Sequence, residues 1–353
     1  MHPSIRLPVI CFILFAMVVV RCKKEEEEAA LPVLITYEAN YVRRTTAVCG
    51  GQLVALGSGT VTDFGVCWDS AAFPTIDDDT LTTDDISWYQ YTTTLHGLKP
   101  NTTYYVSAFA KNKAGVGYGD EITFTTAPAA ATITFNNDLA YDAVADVDGN
   151  VYKTIGIGSQ TWMAENLRTT RYNDHTEIPL VTGDTAWGLL QTPGYCWYEN
   201  NEELFKSIYG AYYNWYTVNT GKLCPTGWHV PSDGEWKVLE MELGMTQEEA
   251  DKIDWRGIEA VKLKETGTMN WYSRYNVSGT NTSGFTALPG GERSLYYTTD
   301  TYKNEGFNAS WWTSTAITEW SGAYFRSIQY GSYRIYRFPC YIQQGLNVRC
   351  IKD

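Results

Sequence analysis

Ser232-Asp233-Gly234-Glu235-Trp236-Lys237-Val238-Leu239-Glu240-Met241-Glu242-Leu243-Gly244 is the stretch that sets the fold class of the second half of this chain. A serine followed three residues later by a glutamate forms a capping box, in which each side chain satisfies the other residue's backbone N–H. Trp236, Leu239 and Leu243 recur at helical spacing behind it, and Gly244 is suited to the left-handed turn that ends a helix. A second box, Thr246-Gln247-Glu248-Glu249, opens a further short helix toward Ile253. On both sides the pattern reverts to turn residues and alternating apolar runs. Two helices set among strands predict an α+β domain.

Upstream, Asp146-Val147-Asp148-Gly149-Asn150 has the look of a calcium loop, but the remaining acidic ligands and the closing glutamate are missing. With Val144 before it and Val151, Ile155 and Ile157 after it, the segment reads as a hairpin turn. No cofactor is expected, and no metal site.

Further upstream, residues 33–127 are rich in Thr, Val and Tyr in short alternating runs, the pattern of an all-β sandwich. Leu98-Lys99-Pro100-Asn101-Thr102-Thr103-Tyr104 leads into Tyr105-Val106-Ser107-Ala108-Phe109-Ala110. That run resembles the tyrosine corner of fibronectin type III domains, with Tyr104 as its tyrosine, and implies a fibronectin type III-like module serving as a spacer. Phe64-Gly65-Val66-Cys67-Trp68 reads as its central strand, with Trp68 in the core and Cys67 expected to meet Cys49 in a disulfide. Residues 128–139 read as a linker.

At the N-terminus, residues 7–20 form an uncharged apolar run too short for a membrane-spanning helix, so residues 1–21 are expected to be a secretory signal. Cys22 follows, in a setting that resembles a lipobox apart from Arg21, and is the expected lipidation site. Residues 22–32, with Lys23, Lys24 and Glu25 to Glu28, would form an acidic tether. The tract resembles the export signal of Bacteroidota lipoproteins, which implies anchoring through an N-terminal lipid at the cell surface of the outer membrane, or otherwise secretion. A net charge of −13 with no basic cluster gives nucleic-acid binding no electrostatic basis.

Residues 140–353 hold 11 of the 13 tryptophans, so they carry a bulky core, a stacking surface, or both. Their motifs occur in the order of one family. Gly156-Ile157-Gly158-Ser159-Gln160-Thr161-Trp162-Met163-Ala164-Glu165-Asn166-Leu167 comes first, then Gly194-Tyr195-Cys196-Trp197-Tyr198 and Tyr209-Gly210-Ala211-Tyr212-Tyr213-Asn214-Trp215. Leu223-Cys224-Pro225-Thr226-Gly227-Trp228-His229 follows, with Ser283-Gly284-Phe285-Thr286-Ala287-Leu288-Pro289-Gly290-Gly291, Trp311-Trp312-Thr313-Ser314 and Val348-Arg349-Cys350 beyond it. Together they resemble the Fibrobacter succinogenes major paralogous domain, a family of exported surface proteins without an established activity. The segment 231–239 is also similar to the first helix of formylglycine-generating enzymes, which implies a C-type-lectin-like fold.

No calcium-lectin triplet is present, so sugar recognition would rest on stacking by Trp187, Trp197, Trp311, Trp312 or Trp320. Six cysteines remain after Cys11 and Cys22, and an exported chain favours pairing them. Cys224 with Cys350 is the expected bridge. Closing a loop of that length is worth about 4 to 5 kcal/mol in the loop-entropy model. Cys196 and Cys340 would make a further cystine more readily than the copper site of an oxidase. His229, beside Trp228, reads as structural. The expected function is non-catalytic binding or adhesion to a glycan or surface protein, with a structural envelope or appendage component as the alternative and a formylglycine-generating-enzyme-like oxidase as a distant third.

Overall fold

The computed structural model describes residues 29–82, 89–128, 132–267, 269–272, 277–294, 301–318 and 320–353. The expected signal segment and Cys22 lie outside the described residues. The chain divides into two compact units. Among the described residues, one comprises 29–40 with Ala47–Leu95 and Thr103–Phe124, and the other comprises Tyr41–Thr46, His96–Thr102 and Thr125–Asp353.

The first unit is a two-sheet antiparallel sandwich. One sheet orders the strands Val33–Asn40, Ala47–Ala55 and Gln90–Leu95; the other orders Asp79–Thr82, Asp63–Asp69, Thr103–Asn112 and Gly115–Tyr118, with Ile122–Thr125 pairing the strand Thr103–Asn112. This strand order is that of a fibronectin type III-like domain. The sheets approach closely at Gly51, where a Cβ would sit 2.6 Å from the Ala108 methyl. Tyr91 crosses the gap to donate its hydroxyl to the Gly65 carbonyl at 2.6 Å. Tyr104 is buried and stacks on Phe124 at 5.8 Å.

The same packing corrects the expected Cys49–Cys67 bridge: both thiols are free. Val66 pairs with Ala108, which faces Gly51 across the sandwich, so Val66 points inward as well. Successive strand residues point to opposite faces. Trp68 and Cys67 therefore cannot share the interior. The Cys67 thiol points outward and donates to the Pro74 and Ser107 carbonyls at 3.4 Å.

In the second unit a five-stranded sheet runs Trp228–His229, Ile351–Lys352, Gln160–Met163, Val151–Ile157, Asp142–Ala145. The last strand thus lies beside one of the first. Cys224 and Cys350 are bonded with their Cα atoms 5.9 Å apart, as expected. The hairpin at Asp146 also forms. Its carboxylate accepts the backbone N–H of Asp148 and of Asn150, both at 2.9 Å, and the Tyr152 hydroxyl at 2.5 Å.

A four-stranded sheet orders Asp254–Arg256, Ile335–Tyr341, Gly322–Gln329 and Asn308–Ala316. Against one of its faces packs the helix Asp233–Glu242, whose capping box is complete: Ser232 and Glu235 exchange both bonds. The second box is half made, since Thr246 accepts the Glu249 N–H at the head of the helix Gln247–Asp251. Trp162, Trp236, Phe285 and Trp311 form one aromatic core between the helix and the sheets, with ring centroids 5.0 to 5.9 Å apart.

Candidate functional site

Four of the five tryptophans expected to stack on a ligand are core residues. Trp187, Trp197, Trp311 and Trp312 are all at most 2% exposed. The Trp311 indole N–H donates to the Asn166 side chain at 2.9 Å and that of Trp312 to the Tyr213 carbonyl at 2.8 Å. Rings buried to this extent have no face left for a ligand. Trp320 alone of the five is open, at 40%. Its ring lies over Gly322 and meets Tyr341 edge-on at 5.1 Å.

The four-stranded sheet has two chemically different faces because its strands alternate. On the face toward the helix, Arg326 and Arg337 are direct cross-strand partners. Arg326 bonds Glu240 at 2.7 Å and Asp233 at 2.9 Å, Arg337 holds both oxygens of Asp233 at 2.8 and 2.9 Å, and Arg256 reaches Glu240 at 2.7 Å. Burial alone would raise the Asp233 carboxyl, but the two guanidiniums overcome it and hold the carboxyl down at about 2. These charges are consumed in fixing the helix to the sheet. They form a frame that ties the helix to three strands of the sheet.

The opposite face is aromatic. Trp255 pairs with Tyr336, Phe338 with Phe325, and Phe325 with Trp312, so all five side chains share it. Trp255 and Tyr336 stand 4.8 Å apart, Phe325 and Tyr336 5.7 Å, and Tyr336 and Phe338 stack at 5.7 Å with 21° between their planes. The strip begins in the core at Trp312 and runs outward. Phe325, Tyr336 and Trp255 are half-buried, and Phe338 is 41% exposed. Rings rooted at one end in a packed core present an ordered surface at little entropic cost. Burial and the nearby Asp254 charge raise the Tyr336 phenol, so it stays a neutral hydroxyl among the rings.

Sequence reading missed Trp255, Phe325, Tyr336 and Phe338. The signal was there in Ile335-Tyr336-Arg337-Phe338, where aromatic and basic residues alternate with the period of a strand. What the sequence could not show is which of two alternating sets faces water.

The remaining thiols do not form the expected second cystine. Cys196 and Cys340 are both free. Cys196 is enclosed with Tyr198, Tyr209 and Tyr212, whereas Cys340 packs against a different cluster containing Trp312 and Ala323. His229 bridges two carboxylates, Asp353 at 2.6 Å and Glu235 at 2.9 Å, so it ties the last strand to the capping box. Among the described residues no group of three or more His, Cys, Asp or Glu side chains is placed to hold a metal ion.

The model of the Fibrobacter succinogenes major domain matches residues 155–352, which takes in the framed sheet, the disulfide and the aromatic strip. The chain belongs to that family. No curated protein sequence matches it. Among solved structures, the chain is similar to the sensor domain of the anti-sigma factor RsgI4 in Pseudobacteroides cellulosolvens, at 17% identity over 28% of this chain and 95% of that one, with a TM-score of 0.22. It is also similar to the FN1–FN3 domains of chicken CNTN1, at 19% identity over 28% and 31% of the two chains with a TM-score of 0.23. A third is the third fibronectin III domain of the human KIAA0343 protein, at 19% identity over 30% and 90%, again with a TM-score of 0.23.

Proposed function

We infer that this Fibrobacter succinogenes major domain protein is a non-catalytic, exported surface protein, lipid-anchored through Cys22, whose C-terminal module recognises a glycan by stacking. The aromatic strip of Trp255, Tyr336, Phe338 and Phe325 carries the reading. Sugar rings present C–H faces that pack on aromatic π-systems, and the strip offers such rings side by side with one phenolic hydroxyl to bond sugar hydroxyls. A net charge of −13 suits a neutral ligand better than an anionic one. A C-type-lectin-like fold for this module is part of the proposal, supported by the pairing of Gln160–Met163 with Ile351–Lys352, which leaves the long intervening chain looped out between neighbouring ends.

The purified chain applied to a glycan array should bind a limited set of neutral oligosaccharides and lose them on Phe338→Ala. An array without hits, together with concentration-dependent self-association in sedimentation, would favour a structural envelope role instead.

A further inference from the structure

A different surface, on the sandwich, has no part in that reading. Residues 69–79 read Asp-Ser-Ala-Ala-Phe-Pro-Thr-Ile-Asp-Asp-Asp and connect the strand Asp63–Asp69 to the strand Asp79–Thr82. Phe73 stands in this loop with 82% of its surface exposed and a backbone φ of +64°. A bulky L-residue seldom adopts that conformation, and an exposed ring gains nothing from the fold in return. Strain of this kind persists only where surrounding contacts impose it, and it points to use.

Those contacts are present. The Phe73 N–H donates to the Glu121 carboxylate, and the Ile76 N–H to the Tyr118 hydroxyl at 3.2 Å. Asp78 accepts both the N–H and the hydroxyl of Thr75, at 2.8 and 3.1 Å. Beneath the loop the buried Cys67 thiol donates to the Pro74 carbonyl. The ring is therefore held out by a pinned loop. Along the loop the charge is all of one sign: it contains Asp69, Asp77, Asp78 and Asp79 and no Lys, Arg or His, and Glu121, with Asp120 beside it in sequence, adjoins it.

We propose that this loop is a protein-docking element, in which Phe73 enters an apolar pocket rimmed by Lys and Arg on a partner protein. A single aromatic anchor in a desolvated pocket supplies most of the affinity of such contacts, and the acidic ring supplies steering and selectivity. The same carboxylates repel an anionic lipid surface, and a second copy of this chain, at −13, is a poor electrostatic match.

The test is selection of a random-peptide phage library on the full chain, with Phe73→Gly and Phe73→Ala as comparison targets. Selected peptides should combine Arg or Lys with large apolar residues, bind both variants about tenfold or more weakly, and weaken between about 0.05 and about 0.5 M NaCl. Phe73→Gly should melt at the same or a higher temperature, because glycine relieves the positive φ. Peptides that lack basic residues, or that bind the variants as well as the parent, would overturn the proposal. So would Phe73-dependent sedimentation of the chain with phosphatidylglycerol vesicles.

Discussion

The Arg326 Nε donates to Glu240 Oε1 at 2.7 Å, and neither side chain has any exposure to solvent. Glu240 also takes Arg256 on its other oxygen, so one carboxylate compensates two buried guanidiniums. Glu240→Ala should therefore cost about 3 to 5 kcal/mol, the usual effect of leaving a buried charge unpaired. Urea unfolding of the variant checks it. Removing Glu248 from its exposed pair with Lys252 should leave the urea midpoint nearly unchanged.

The Cys224–Cys350 bridge spans 126 residues. Replacing both cysteines by alanine should lower stability by about 5 kcal/mol in the loop-entropy model, seen as an earlier denaturant midpoint without reductant. Replacing Cys49 and Cys67 together by alanine should remove only two small buried side chains and leave disulfide content unchanged in a thiol count.

His229 makes a pH prediction. Burial lowers its pKa, but the hydrogen bonds its ring donates to the Asp353 and Glu235 carboxylates outweigh burial and raise it above the ordinary histidine value. A raised folded-state pKa adds stability below the unfolded value and loses it as pH rises through the folded one. Glu235 is opposed by burial but held below its ordinary value by the Ser232 N–H and hydroxyl, then by His229, so its contribution is present above the ordinary carboxylate range and fades in acid. The window lies between the two. His229→Gln should cost more at about pH 5.5 than at about pH 8.5, measured as the difference in melting temperature between variant and parent at each pH.

Tryptophan position separates stability from recognition. Trp311→Ala, in the core, should cost about 3 to 5 kcal/mol and broaden or abolish the unfolding transition. Trp320→Ala, over Gly322 at the surface, should leave the melting temperature nearly unchanged. Acrylamide quenching of the fluorescence should be weaker in Trp320→Ala than in the parent.

Features governed by neighbours in sequence were legible. The Ser232–Glu235 box, the Asp146 turn and the alternation around Tyr104 depend on residues a few positions apart, and each forms as read. The Cys49–Cys67 expectation failed against information already in the strand, because placing Trp68 inside forces Cys67 outside. Four of the five stacking candidates proved to be core residues for another reason. Whether Trp311 or Trp255 meets solvent is decided by strands brought together from distant parts of the chain, and no local pattern carries that. Arg349 is a similar case: it is buried with its guanidinium on the Asn166 side chain and on the Phe285 and Thr286 carbonyls, and burial pulls its pKa down to about 9. A lone arginine in Val348-Arg349-Cys350 does not announce such a setting.

Recognition by the aromatic strip is the central claim, and calorimetric titration of an array-selected neutral oligosaccharide into the full chain tests it most directly. The account predicts saturable binding that Trp255→Ala and Phe338→Ala each weaken by about tenfold, with the melting temperature of Phe338→Ala close to that of the parent because that ring is largely open to water. Binding that both variants retain in full would contradict it.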